Sequence, residues 1–126
     1  MLSLKRNGAP FLWNGCAVLA EYAEKILADY FHRKQILYKY EKPIYLTGYG
    51  IVYPDFTFLS SKTGEELYWE HEGMMDKQEY ARSAVRKIES YQKNGIYPGE
   101  RLILTFETEQ SILNQNVFER LAERYL

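Results

Sequence analysis

The sequence of 126 residues contains one cysteine and two histidines. Cys16 cannot close an internal disulfide, and no cluster of cysteine and histidine is present for a zinc site. No apolar run reaches the roughly 18 residues that a membrane-spanning helix needs, and the first residues lack the apolar stretch and cleavage site of a signal peptide. These absences favour a cytoplasmic protein without a membrane segment.

The sequence also lacks a large excess of either charge, because its 16 basic and 17 acidic residues give a net charge of only −1. A domain that binds nucleic acid strongly and without specificity is usually clearly basic. A nuclease is still compatible with this balance, since carboxylates collected for a metal offset basic residues that cluster on one face. Length predicts a single domain, and a composition of 46% hydrophobic and 16% aromatic residues is ordinary for a globular one.

Hydrophobic periodicity predicts an α/β domain over the whole chain, after an irregular lead-in at residues 1–15. Helical patterns cover residues 16–34, 76–93 and 112–125, and strand patterns cover residues 36–46, 51–59, 66–71 and 101–106. The second helix begins with Asp76 and Glu79 in the manner of a capping box and ends at Asn94-Gly95. Pro43 predicts an edge position or a bulge in the first strand. The element order is αβββαβα.

Glu24 is a carboxylate within the apolar stripe of the first helix. On a helical wheel several apolar residues fall within about 60° of it; they are Ala17, Ala20, Leu27, Ala28 and Phe31. Buried charges are rarely left unpaired unless they bind a metal. Glu24 is therefore either a helix-edge residue paired with a base such as Lys34 or a metal ligand.

Lys87 is a second residue that does not fit its surroundings. It shares one face of the second helix with Tyr80, Ala84 and Tyr91. A lone lysine there either extends its stem towards solvent or meets buried negative charge. The helix by itself favours the first interpretation.

Asp55 and Glu70 lie on two predicted strands that a hairpin joins. If the strands are regular, Phe56 points to the face opposite Asp55, and Trp69 to the face opposite Glu70. The hairpin can bring the two carboxylates side by side, where they repel each other unless a cation lies between them. With Glu24 they form a carboxylate set suited to a hard cation such as Mg²⁺ or Mn²⁺.

In this order the motifs resemble those of the PD-(D/E)XK nuclease superfamily. They are Tyr53-Pro54-Asp55-Phe56, then Tyr68-Trp69-Glu70-His71, then a helix with Lys87-x-x-x-Tyr91 that closes at Asn94-Gly95-Ile96. The similarity is closest to small bacterial and phage-related domains whose third strand reads Glu-His-x-Gly, and it spans about residues 20 to 125. It implies a restriction-endonuclease-like αβββαβα core with a four-stranded mixed sheet flanked by helices.

The resemblance further implies a hydrolase that cleaves phosphodiester bonds in DNA with Mg²⁺ or Mn²⁺. Asp55 and Glu70 would bind the metal, the backbone carbonyl of His71 would be a third ligand, and Glu24 would bind directly or through water. The side chain of His71 points away from this face, which favours packing or hydrogen bonding. Glu41 ranks below Glu24 as a ligand, because no helix or strand face isolates it.

The chain departs from the usual motif at the lysine. That lysine normally stands two residues after the glutamate, where this chain has Glu72. Lys87 would supply the missing charge from the helix, with Tyr91 as its companion, and would balance charge that grows on the phosphate. Glu72 could repel DNA locally or recruit a second cation.

Two other functions remain open at this level. One is a nuclease-like domain that has lost catalysis and docks nucleic acid or protein, and the other is a structural role in which Glu24 and Lys87 form a buried ion pair. DNA phosphates are expected to contact six basic residues: Lys25, Arg33, Lys34, Arg82, Arg86 and Lys93. The resemblance also implies a homodimer or a longer protein with helicase or DNA-binding modules.

Overall fold

The computed structural model describes residues 15–126, with side chains from residue 22 onward. The predicted lead-in therefore lies outside the described residues, except for Gly15, which begins the first helix. The helices are α1 (Gly15–Arg33), α2 (Gln78–Lys93) and α3 (Gln115–Tyr125). The strands are β1 (Lys39–Tyr40), β2 (Ile44–Leu46), β3 (Gly50–Val52), β4 (Phe56–Leu59), β5 (Glu66–Glu72) and β6 (Leu102–Phe106). None of the described helices is long and apolar enough to cross a membrane.

The main sheet has four strands in the order β1-β4-β5-β6. β1, β4 and β5 pair antiparallel, while β5 and β6 pair parallel, so the sheet is mixed as predicted. The prediction of antiparallel neighbours for the two acidic strands is confirmed, since Phe56 in β4 pairs with Trp69 in β5. Continuing this register by one residue brings Asp55 opposite Glu70.

The first two predicted strands are each broken, which corrects the expected element order. Each contributes one piece to the main sheet and one piece to a separate hairpin, β2–β3. Glu41 has a φ of 53°, a left-handed conformation that turns the chain out of β1. The two breaks face each other, because the Glu41 N–H donates to the Asp55 carbonyl oxygen at 3.2 Å. The chain thus leaves the main sheet at Glu41, forms the β2–β3 hairpin, and rejoins the main sheet at Asp55.

The two faces of the main sheet carry separate cores, as strand alternation predicts. Towards α1, Phe31 makes edge contacts with Phe56, Phe58 and Trp69 at ring-centroid distances of 5.1, 5.0 and 5.3 Å. Towards α2, the buried residues are Leu46, Val52, Tyr68, Tyr91, Ile96 and Leu102. Charged residues that point towards α2 therefore lie beside a packed apolar cluster.

The ends of α2 differ in how well the sequence predicted them. The capping box is wrong, because the N-cap residue is Lys77, whose side chain makes no capping hydrogen bond, and Asp76 accepts from the Glu109 N–H at 3.1 Å instead. At the other end, Gly95 has a φ of 79° and the Ile96 N–H donates to the Tyr91 carbonyl oxygen at 2.9 Å. This is the Schellman arrangement that Asn94-Gly95 predicts.

Candidate metal centre and its lysine

Glu24 is buried on α1, with 6% of its surface exposed. Its position in the apolar stripe is confirmed, since Leu27 and Phe31 on the same helix are fully buried. The Tyr40 hydroxyl of β1 donates to Glu24 Oε1 at 2.6 Å. Lys34, the base proposed as its partner, is exposed. Glu24 is therefore a buried carboxylate held by a phenol.

Asp55 lies in the break before β4 and is 6% exposed. The backbone N–H of His71 donates to Asp55 Oδ2 at 2.7 Å. The N–H and C=O groups of one strand residue point to the same edge of the strand. The carbonyl oxygen of His71 therefore faces the edge of β5 where Asp55 lies.

Glu41 belongs to the same cluster, although the sequence ranked it low. One carboxylate oxygen each from Glu24, Glu41 and Asp55 all lie within 4.8 Å of one another. A signal for this was present in the sequence. Leu46 and Gly50 pair on either side of the turn at residues 47–49. If this register is continued along both strands, Glu41 lies opposite Asp55.

Glu70 lies beside this cluster, and α2 supplies partners for both of its oxygens. Lys87 Nζ is 3.2 Å from Glu70 Oε1, and the Tyr91 hydroxyl donates to Glu70 Oε2 at 2.7 Å. The interpretation in which Lys87 extends to solvent is wrong, because its side chain is only 18% exposed. The lysine meets buried negative charge from the sheet.

Glu72 is the second ion partner of Lys87. Its Oε2 lies 3.2 Å from Lys87 Nζ, and the Tyr80 hydroxyl donates to its Oε1 at 3.3 Å. Glu72 is 2% exposed, so it does not face solvent where it would repel DNA. The structural interpretation had paired Lys87 with Glu24, whereas the observed ion pairs join it to Glu70 and Glu72.

Burial and neighbouring charges shift the pKa values of Asp55, Glu70 and Lys87. Burial raises the pKa of Asp55 well above its usual value, and the charges of Glu24 and Glu70 raise it further, against the His71 N–H and Lys87. Burial also raises the pKa of Glu70. For Lys87, burial lowers the pKa, but the neighbouring carboxylates outweigh it and the net pKa is raised. The lysine therefore stays charged, and the carboxylates still exceed it in number.

The His71 side chain points to the α1 side of the sheet, as predicted, and forms hydrogen bonds there. Its Nδ1 lies 2.7 Å from Thr105 Oγ1, and its Nε2 lies 2.9 Å from Glu107 Oε1. Thr105 Oγ1 also accepts from Trp69 Nε1 at 3.1 Å. Thr105 and Glu107 were missed because a strand pattern does not reveal hydrogen bonds between parallel neighbours.

The six basic residues expected to contact DNA are all exposed. Several make contacts on their own helices, such as Lys25 Nζ with Asp29 Oδ2 at 3.1 Å and Arg82 with Glu79 at 3.5 Å. Arg33 is nine residues from Glu24, about 14 Å along α1 at 1.5 Å per residue. Their contact with DNA stays a prediction.

Comparisons with protein-family models, curated proteins and solved structures find no match to this chain. The described residues define a mixed α/β domain with an acidic cluster in which Glu24 and Asp55 are buried and Glu41 is half-buried, and with an adjacent lysine whose side chain is 18% exposed.

Proposed function

We propose that this chain is a Mg²⁺- or Mn²⁺-dependent nuclease domain of the PD-(D/E)XK type that hydrolyses phosphodiester bonds in DNA. The observation that carries the proposal is the oxygen cluster of Glu24, Glu41 and Asp55 within 4.8 Å, beside Glu70 with Lys87 3.2 Å away. Chain segments far apart in sequence contribute these residues. A buried excess of carboxylates at their meeting point needs a compensating cation.

The element order supports the same proposal. If the β2–β3 hairpin is treated as an insertion, the remaining elements α1, β1, β4, β5, α2, β6 and α3 follow the order αβββαβα. The resemblance implies this order around a mixed four-stranded sheet. It also implies that the two acidic motifs lie on adjacent antiparallel strands, as β4 and β5 do.

The donor set fits a hard divalent cation. All of its candidate ligands are oxygen atoms, which Mg²⁺ and Mn²⁺ prefer over nitrogen and sulfur. Glu24, Glu41 and Asp55 would hold the ion, with Glu70 and the His71 carbonyl at the adjoining edge of β5. The pKa of Asp55 is raised chiefly by burial and further by the charges of Glu24 and Glu70, and such an ion would relieve this repulsion. The ion would polarise a phosphoryl oxygen and lower the pKa of a bound water.

The side chains around the cluster have separate roles in this proposal. The Lys87 ammonium, charged because the carboxylates raise its pKa, would balance charge that grows on the phosphate in the transition state. Tyr91 and Tyr40 hold Glu70 and Glu24 in place through hydrogen bonds of 2.7 and 2.6 Å. Glu72, which stands at the usual position of the motif lysine, would hold the relocated lysine through its 3.2 Å ion pair with Lys87.

The test combines DNA cleavage with cation binding. The purified chain is incubated with plasmid and with labelled oligonucleotides in Mg²⁺, Mn²⁺ or EDTA, and Mn²⁺ binding is measured by calorimetry. We expect cleavage that EDTA abolishes. Asp55→Asn should lose both cleavage and Mn²⁺ binding, because it removes one ligand charge. Asp29→Asn is the matched control, since Asp29 is an exposed residue of α1, and it should behave as the parent.

Each contrary result has a separate meaning. Failure to bind Mn²⁺ at millimolar concentration would refute the metal centre. Mn²⁺ binding that depends on Asp55, without cleavage of any DNA, would instead favour the docking module that has lost catalysis.

A further inference from the structure

The β2–β3 hairpin presents an apolar and largely aromatic face to solvent. Tyr45 and Ile51 are a cross-strand pair and are 70% and 58% exposed, and Tyr49 at the turn is 45% exposed. Pro43, which is exposed, comes directly before β2, and Tyr53, which is half-buried, comes directly after β3. These five residues, Pro43, Tyr45, Tyr49, Ile51 and Tyr53, are named the aromatic stripe, and it contains no charged side chain.

The hairpin that carries the stripe is firmly attached to the domain. On its other face, Leu46 and Val52 are 1% and 4% exposed and pack into the core towards α2. At its turn, the Thr47 N–H donates to Asn94 Oδ1 at 3.0 Å, and Asn94 Nδ2 donates back to the Thr47 carbonyl oxygen at 3.2 Å. The stripe is thus a preorganised surface, and exposed apolar patches of this kind mark interaction sites.

The stripe is continuous with the candidate metal centre. The hairpin register pairs Tyr45 with Ile51 and Ile44 with Val52, and its continuation by one residue places Pro43 opposite Tyr53. Two residues further along each segment, the same register reaches Glu41 and Asp55, whose backbones are joined by a 3.2 Å hydrogen bond. Tyr45 is four residues from Glu41, which puts their Cα atoms at most about 14 Å apart. A polynucleotide bound at the cluster would therefore be within reach of the stripe.

The chemistry of the stripe selects which part of a polynucleotide it can contact. Affinity for phosphates comes chiefly from Lys and Arg, which the stripe lacks. Its tyrosine hydroxyls can donate to phosphate oxygens, but its large exposed ring faces are suited to bases, which stack on aromatic rings regardless of sequence. In a duplex the faces of the bases are stacked on one another and covered, so a ring can reach them only where the strand is unpaired. The net charge of −1 also suits a substrate held partly by stacking.

We propose that the aromatic stripe binds unpaired bases of the DNA strand whose phosphate lies at the metal centre. The substrate class is then single-stranded DNA, or duplex DNA with a single-stranded tail. This inference rests on the proposed function for the position of the phosphate, but the stacking surface can be tested without cleavage.

The experiment measures DNA binding in EDTA, where metal-dependent cleavage does not occur. Fluorescence anisotropy compares a labelled 15-nucleotide single strand with a blunt duplex of the same sequence, for the parent and for Tyr45→Ala, Tyr45→Trp and Tyr22→Ala. We expect the parent to prefer the single strand and Tyr45→Ala to weaken this binding about tenfold, while Tyr45→Trp retains it. Tyr22→Ala is the control, because Tyr22 is 61% exposed on α1. Thermal unfolding checks that the exposed substitutions leave the fold intact.

The outcomes separate this inference from the proposed nuclease activity. Equal affinity for single strand and duplex, no binding of either, or unchanged binding by Tyr45→Ala would overturn the stripe, even if metal-dependent cleavage is found. Loss of single-strand binding in Tyr45→Ala with rescue by Tyr45→Trp supports the stripe, even if no cleavage is found. If Tyr45→Ala instead converts a dimer into a monomer in sedimentation with unchanged DNA binding, a second copy is the occupant and the inference is wrong.

Discussion

Lys87 and Glu70 form an ion pair across the contact between α2 and β5, with Nζ 3.2 Å from Oε1. Tyr91, one helical turn further along α2, holds the other oxygen of the same carboxylate. Both oxygens of Glu70 are therefore bound by one helix. The ion pair fixes the position of the Lys87 ammonium. The charge of Lys87 partly offsets the raised pKa of Asp55.

Lys87→Met is expected to reduce DNA cleavage by about 10²–10³-fold, the usual effect of losing one charged contact to the transition state. It should also destabilise the fold by about 3–5 kcal/mol, because Glu70 and Glu72 would be left buried without their counter-charge. Cleavage kinetics and urea unfolding measure the two effects.

Two further variants separate charge from folding. Lys87→Arg keeps the charge and should recover most of the stability, while Lys62→Met, at an exposed hairpin position, should match the parent in both assays. Full cleavage by Lys87→Met would show that the lysine has no part in the reaction.

Glu41→Gln is expected to weaken Mn²⁺ binding about tenfold or more, because the affinity of oxygen sites depends on the number of ligand charges. The same loss is expected for Glu24→Gln, since both residues belong to the oxygen cluster. Calorimetric titration measures the affinity, with Glu123→Gln on the exposed side of α3 as the control. An unchanged affinity in Glu41→Gln would remove Glu41 from the centre and leave Glu70 as the adjacent ligand.

The stability of the metal-free protein should depend on pH through Asp55. Its pKa in the folded state is raised, chiefly by burial, so folding favours the protonated form. The resulting stabilisation is fully present below the unfolded pKa of about 3.9 and is lost as the pH rises through the folded pKa. In EDTA, Asp55→Asn should therefore be more stable than the parent at pH 8, with an advantage that shrinks as the pH falls.

Thermal unfolding between pH 8 and pH 5 measures this difference between parent and variant. Saturating Mn²⁺ should reverse the order at pH 8, because the ion stabilises the parent that binds it. A difference that stays constant with pH would show that Asp55 titrates normally.

Two threonines on the main sheet should respond in opposite ways to the same substitution. Thr105 Oγ1 accepts from Trp69 Nε1 and contacts His71 Nδ1, so Thr105→Val leaves buried polar groups unsatisfied, at about 1–3 kcal/mol each. Thr57 Oγ1 is buried and has no hydrogen-bond partner within residues 15–126, so Thr57→Val should be neutral or stabilise by about 1 kcal/mol. Urea unfolding of both variants provides the measurement, and equal losses of stability would contradict the hydrogen bonding described.

Local patterns were enough to predict the parts of the fold that depend on neighbours in sequence. The alternation along β5 placed Trp69 towards α1 and Glu70 towards α2, because the period of two is a property of the strand itself. The end of α2 at Asn94-Gly95 followed from the conformational freedom of glycine. The burial of Glu24 followed from the helical period.

Features that depend on distant contacts were missed. A left-handed Glu41 is uncommon for a residue other than glycine, so the break between β1 and β2 had no strong local signal. Asp76 was expected to cap α2, but its carboxylate is used by the Glu109 N–H from beyond β6. The partnership of Lys87 with Glu72 depends on the packing of α2 on the sheet, which a helical wheel does not contain.

The parallel pairing of β5 with β6 has a consequence for the order of assembly. The β2–β3 and β4–β5 hairpins close over short loops, whereas β6 reaches β5 only after α2 has crossed between them, and long-range closures are slow. We therefore expect the β4–β5 hairpin to bring Asp55 and Glu70 together before α2 docks and supplies Lys87. The folding rate in EDTA should therefore depend on how firmly α2 docks, and a divalent cation present during refolding would act as a nucleation aid for the sheet.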